Sequence, residues 1–130
     1  MIVFKQAQIA AGSAVAGSIA WRPGVHGRAG DIAVCWLIWR VTLADGGEIG
    51  PGRTAIEDYT VVERQRIDPG PDGAPFEFRI PEQGPISYEG KLLRVVWEIV
   101  AGTESTATGI QVALCGAFKV VARSRTEAST

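Results

Sequence analysis

From Phe76 onward the chain alternates. Phe76, Phe78 and Ile80 point one way while Glu77 and Arg79 point the other, the period-two signature of a strand with one wet face. Pro81, Gly84 and Pro85 then break any ladder, and Gly90 closes the corner. A second apolar run, Lys91 to Ala101, follows with Leu93, Val95, Trp97 and Ile99 in phase. Upstream, Ile2 to Ile9 and Ala14 to Trp21 read as two short strands separated by Gly12 and Ser13. Asp31 to Leu43 is the most apolar stretch, with Ile32, Val34, Trp36 and Ile38 on one side and Cys35, Leu37, Trp39 and Val41 on the other. Both of its faces need cover, which places it centrally in a sheet. Thr54 to Ile67 mixes Glu, Arg and Gln with Thr, Val, Tyr and Ile, so propensity allows helix or strand; its all-strand surroundings favour strand. A polar turn, Thr103 to Thr108, leads to a last strand, Ile110 to Ala122, in which Ile110, Val112, Leu114 and Phe118 share a face.

Gly- and Pro-rich connections at Arg22 to Gly30, Ala44 to Arg53 and Asp68 to Pro75 separate these runs, and no segment reads clearly as a helix. The pattern predicts an all-β protein: an antiparallel immunoglobulin-like or arrestin-like β-sandwich of about seven strands. One domain over residues 1–122 is expected, with 123–130 as a frayed polar tail.

Composition narrows the function classes. The apolar share of 46% and four Trp argue for a packed core. The 13 Lys and Arg against 14 Asp and Glu provide no positive excess for nucleic acid or an anionic surface. No run reaches the roughly twenty apolar residues of a membrane span, and Gln6, Gln8, Gly12, Ser13, Gly17 and Ser18 interrupt the one run that imitates a signal peptide. Cys35 and Cys115 lie in apolar runs without metal-ligand spacing and read as two reduced core thiols, which fits a cytoplasmic protein.

The run FRIPEQGPISYEGKLLRVVWEIVA, Phe78 to Ala101, resembles the arrestin-like β-sandwich group. A phenylalanine strand ends in a proline, a Pro-x-Ser-Tyr-x-Gly corner follows, and the next strand carries an aromatic and ends in a small residue. Those positions are Phe78, Pro81, Pro85, Ser87, Tyr88, Gly90, Trp97 and Ala101, and Gly12 and Gly17 are similar to the glycines that open the family's earlier strand. The resemblance implies a non-catalytic domain that presents sheet edges and loops to other proteins. Arrestins place two sandwiches in tandem, whereas this chain has length for one, so their interdomain groove does not carry over. The corner also has a reading of its own: Pro85 fixes a dihedral, Ser87 bonds nearby backbone, and Tyr88 offers a large ring with a polar tip.

Candidate chemistry is sparse. His26, the only histidine, shares a loop with Arg22 and Arg28, an arrangement suited to an anion, but neither a zinc set nor a nucleophile with its base accompanies it. The glycine-rich ADGGEIGPGR lacks the Lys-Ser/Thr ending of a phosphate loop. Glu57, Asp58, Glu63, Glu82 and Glu89 read as solvated strand and turn acids. Trp36 and Trp39 lie three apart on one strand and so face opposite ways; one should meet a second layer or a partner. Trp36, Trp39 and Tyr88 are thus the candidate interaction residues. The expected function is that of a protein-interaction adaptor without cofactor, with self-association through sheet edges as one option. A ligand-binding or enzymatic sandwich with its site around His26, and an exported structural module, are the rivals.

Overall fold

The computed structural model describes residues 1–20, 32–43, 59–68, 73–105 and 109–123. These residues form strands and turns, with no helix among them. The strands are β1 (Ile2–Phe4), β2 (Gln8–Ala10), β3 (Ala14–Ile19), β4 (Ile32–Leu43), β5 (Thr60–Arg66), β6 (Ala74–Arg79), β7 (Tyr88–Glu89), β8 (Leu93–Ser105) and β9 (Gly109–Val121). They make a three-stranded sheet in the order β1-β3-β6 and a six-stranded sheet in the order β2-β9-β8-β4-β5, with β7 also paired to β8.

The nine strands exceed the seven expected for two local reasons. The run Ile2 to Ile9 breaks into β1 and β2, which join different sheets, and the corner contributes the two-residue β7. β2 also departs from the antiparallel expectation, running parallel to β9 with Gln8 opposite Lys119 and Ala10 opposite Val121. By changing sheets between Phe4 and Gln8, the first strand run closes one side of the sandwich.

The main core lies between the sheets. Val15, Ile19, Phe76, Phe78 and Ile80 from one side meet Cys35, Leu37, Trp97, Ile99, Ala101, Phe118 and Val120 from the other. β6 follows its alternation throughout: Ala74, Phe76 and Phe78 are buried, while Pro75, Glu77 and Arg79 are exposed. Phe4 packs edge-on against Phe76, with ring centroids 6.0 Å apart. Gly17 leaves room for that contact, because a Cβ there would stand 3.0 Å from a Phe76 ring carbon and 2.0 Å from the Val3 carbonyl oxygen.

β4 is central, as its two apolar faces require, pairing with β8 on one side and β5 on the other. Its outward residues Val34, Trp36 and Ile38 join Val100 in a second buried cluster, packed with Ile32, Tyr59 and Val112. On that same face Arg40 Nε donates to Glu98 Oε1, and both side chains are largely buried.

Three expectations about the end of the chain are corrected. The strand runs on through Thr103 to Ser105 where a turn was expected, because Thr103 pairs with both Ala33 and Gln111. At that point Ala101 faces Leu114 while Gly102 faces Val112, so Ala113 is an extra residue in β9. A bulge of this kind reverses which face each residue takes. Leu114 and Phe118 therefore meet the main core, whereas Val112 packs on the second cluster and Ile110 is exposed. Cys115 lands on the outer side as well. Both cysteines are outside any disulfide, but only Cys35 is a core thiol; Cys115 is exposed.

Candidate functional site

β4 and β8 are 12 and 13 residues long, about twice the six of β3 and β6 opposite them. The long pair outruns its cover. Trp39 and Trp97 face each other across the ladder and pack on the main core. The next rungs on the same face are Val41 opposite Val95 and Leu43 opposite Leu93, with Tyr88 also opposite Val95. None of these five enters the core cluster. Val41, Leu43, Leu93 and Tyr88 are 37%, 40%, 43% and 57% exposed, and Leu92 beside them reaches 80%. The result is an apolar shelf continuous with the core but open to solvent.

The proline corner holds the shelf's rim. Trp97 donates its indole N–H to the Pro85 carbonyl at 3.0 Å. Ser87 donates its backbone N–H to the Val120 carbonyl at 2.8 Å, and its Oγ accepts the Val120 N–H at 2.8 Å. Ser87 thus bonds backbone distant in sequence, where nearby backbone was expected. Gly90 donates its N–H to the Leu93 carbonyl at 2.9 Å, closing the turn into β8.

Beside the rim, β8 changes partner. Its pairing with β9 ends at Trp97 opposite Phe118, and β7 takes over at Val95 and Arg94. The fork encloses a notch of about 380 Å³ lined by Tyr88, Glu89, Arg94, Val96, Ala117 and Lys119, among others. Its floor is apolar. Its charged walls are Arg94 and Lys119 against Glu89, and among the described residues neither cation makes an ion pair.

The residues singled out from sequence fall in different places. Trp36 and Trp39 do face opposite ways, because the β4–β8 register is unbroken; the irregularity at Leu37 and Ile38 leaves an extra Val62 on β5. Trp36 is the one on the second face, yet it is only 2% exposed. Trp39 is half-buried against the main core, and Tyr88 is exposed on the shelf. Arg22, His26 and Arg28 lie outside the described residues, as do the glycine-rich segment at 44–53 and the acids Glu57 and Asp58. Glu82 accepts a hydrogen bond from Arg123 at 2.6 Å, and Glu63 is solvent-exposed on β5. Among the described residues no group of three or more His, Cys, Asp or Glu is placed to hold a metal ion.

Val41, Leu43 and Leu93 were not legible as a surface, since period-two patterning marks a face without saying how far its cover extends. The available signal was the length mismatch between the long and short strands. No protein-family model matches the chain, and neither does any curated protein.

Proposed function

We propose that this chain is a non-catalytic protein-interaction domain of the immunoglobulin-like or arrestin-like sandwich type, and that it docks partners on the shelf formed by Val41, Leu43, Leu93 and Tyr88. The observation that carries the reading is this apolar surface, in register with a fully buried core yet open to solvent. Exposed contiguous apolar patches on soluble proteins mark interaction sites. Strand order supports the fold type: a sheet of β9, β8, β4 and β5 opposite one of β1, β3 and β6 follows the GFC-plus-C′ and ABE arrangement of immunoglobulin-like domains. The Pro85 to Gly90 corner supports the arrestin-like resemblance. Neither bears on function by itself.

Self-pairing through sheet edges is less favoured by geometry. A two-fold axis perpendicular to the sheet brings residues of equal parity opposite each other, so β5 pairing with its copy near its centre sets Glu63 against Glu63 or Arg64 against Arg64. On β6 the outward Glu77 carbonyl already accepts the Gln65 side-chain amide at 2.5 Å.

The test compares wild type with a Leu43→Ser/Leu93→Ser variant in quantitative affinity capture from native extract, with circular dichroism as the folding control. Partners enriched by the wild type should fall at least about fivefold, the scale of one truncated interface anchor. An unchanged set of captured proteins from the folded variant would refute the shelf as the docking surface.

A further inference from the structure

On the six-stranded sheet the register turns the notch away from the shelf. Trp97, Ile99, Phe118 and Val120 point into the main core, so Arg94, Val96, Ala117 and Lys119 point out from the opposite face. Tyr88 takes the side of Val95, and Glu89 that of Arg94. The notch of about 380 Å³ lined by these outward side chains is thus a surface of its own. It offers no place for an added strand. β7 occupies the side of β8 that β9 leaves; Ser87 donates its N–H to the Val120 carbonyl, and the Val120 N–H donates to Ser87 Oγ. The Lys119 N–H is taken by the Ala7 carbonyl at 2.8 Å. With those main-chain groups in use, recognition falls to side chains, and a volume near the lower end of the roughly 300–1,000 Å³ of ligand pockets suits a small molecule.

Charge and floor decide its class. Arg94 and Lys119 come from different strands to the same concavity, and among the described residues neither makes an ion pair. Glu89 stands opposite Arg94 in the register and is the only acid in the lining. Beside them on that face, Arg40 and Glu98 neutralise each other. The lining therefore carries a net positive charge next to the apolar side chains of half-buried Val96 and exposed Ala117. We propose that the notch binds a small organic acid, whose carboxylate meets Arg94 and Lys119 and whose apolar body lies on Val96 and Ala117. Arg94 offers a fork of N–H donors that matches a carboxylate, and the Lys119 ammonium adds a compact charge from the neighbouring strand. An inorganic anion would leave the apolar floor uncovered, and a neutral ligand would leave both cations unanswered.

The test titrates phenylacetate into isotope-labelled protein and follows the backbone amides by NMR. A ligand of about ten non-hydrogen atoms should bind with a dissociation constant on the order of 1 mM. Saturable shifts are expected at Val96, Ala117 and Lys119. Phenylacetamide, neutral and of the same shape, should bind at least about fivefold more weakly, the scale of two exposed ion pairs. That preference should shrink with added salt and vanish in an Arg94→Gln/Lys119→Gln variant with unchanged circular dichroism, while Glu89→Gln should tighten phenylacetate. Leu43→Ser/Leu93→Ser, on the other face, should bind it as the wild type does; a loss there would overturn the placement. Equal binding of acid and amide, or inorganic phosphate bound as tightly as phenylacetate, overturns the organic-acid proposal. So does the absence of saturable shifts up to about 20 mM, well above the expected constant. None of these results bears on docking at the shelf, which the captured partners test separately.

Discussion

Replacing Gly17 by Ala is expected to destabilise the protein by about 3 kcal/mol, although Ala within a strand is intrinsically better than Gly by roughly 0.5–1 kcal/mol. The new Cβ would stand 2.0 Å from the Val3 carbonyl oxygen, and that oxygen is backbone and cannot rotate away. An ordinary carbon-to-oxygen approach is about 3.3 Å, so roughly 1.3 Å of separation must be created between β1 and β3. The Lys5 N–H to Ala16 carbonyl bond, now 2.9 Å, would stretch beyond bonding distance, and the Phe4–Gly17 rung would open with it. Ile2 and Phe4, both partly buried against the core, would lose about half of the roughly 1.5–3 kcal/mol that each full burial contributes. Phe4 would also loosen its contacts with Phe76 and Phe118, worth about 0.5–1.5 kcal/mol each. Urea unfolding followed by Trp fluorescence and circular dichroism measures the outcome. Gly109→Ala is the control: its φ of +73° strains an L side chain but nothing lies within 4 Å, so about 1–2 kcal/mol is expected. A Gly17→Ala cost below about 1 kcal/mol would refute the close-approach argument, since overpacking typically costs 1–3.

Three further outcomes are expected. Ser87→Ala removes the Oγ that accepts the Val120 N–H, leaving a part-buried donor without its partner; a loss of about 1–3 kcal/mol in the same unfolding assay is expected, and none would show the corner to be held otherwise. Glu98→Gln takes the carboxylate from Arg40 Nε in a largely buried position and should cost up to about 3–5 kcal/mol, whereas Arg40→Met/Glu98→Leu should cost less; equal losses would show that the ion pair itself stabilises. Burial pushes the Cys35 thiol up from 9.0 to about 12. The folded state holds that proton after the unfolded chain has released it, so Cys35 adds stability that is complete below about pH 9 and is lost as pH rises toward 12. A Cys35→Ala variant, although less stable overall, should show a flatter stability curve across that window. Native protein at pH 8 should accordingly alkylate at Cys115, with Cys35 reacting only in urea, which peptide mass spectrometry reads directly.

Local pattern was enough to make this an all-β chain in two sheets. Period two at Phe76 to Ile80 and at Leu93 to Ile99 survives intact because side-chain alternation is a property of the single strand and needs no partner. The doubly apolar run at Ile32 to Val41 required a central strand with cover on both sides, and β4 has both. Proline and glycine punctuation likewise set the corner, because those residues restrict or free the backbone whatever surrounds them.

Pairing decided the rest. Nothing in GIQVALCGAFKVV announces that Ala113 is an extra residue; the bulge exists because Gly102 lets the two backbones approach so closely that a Cβ would stand 2.1 Å from the Gln111 carbonyl oxygen. That one extra residue sends Val112 to the outer cluster and Leu114 to the core, and leaves Cys115 in solvent. The parallel run of β2 beside β9 and the bond from Val120 to Ser87 join segments far apart in sequence. The shelf is of the same kind. Alternation marked Val41, Leu43 and Leu93 as belonging to a covered face, and the cover ends before it reaches them because β3 and β6 are half as long as β4 and β8. A sequence states which way each side chain points; whether another strand lies in that direction depends on how far its partners extend in three dimensions.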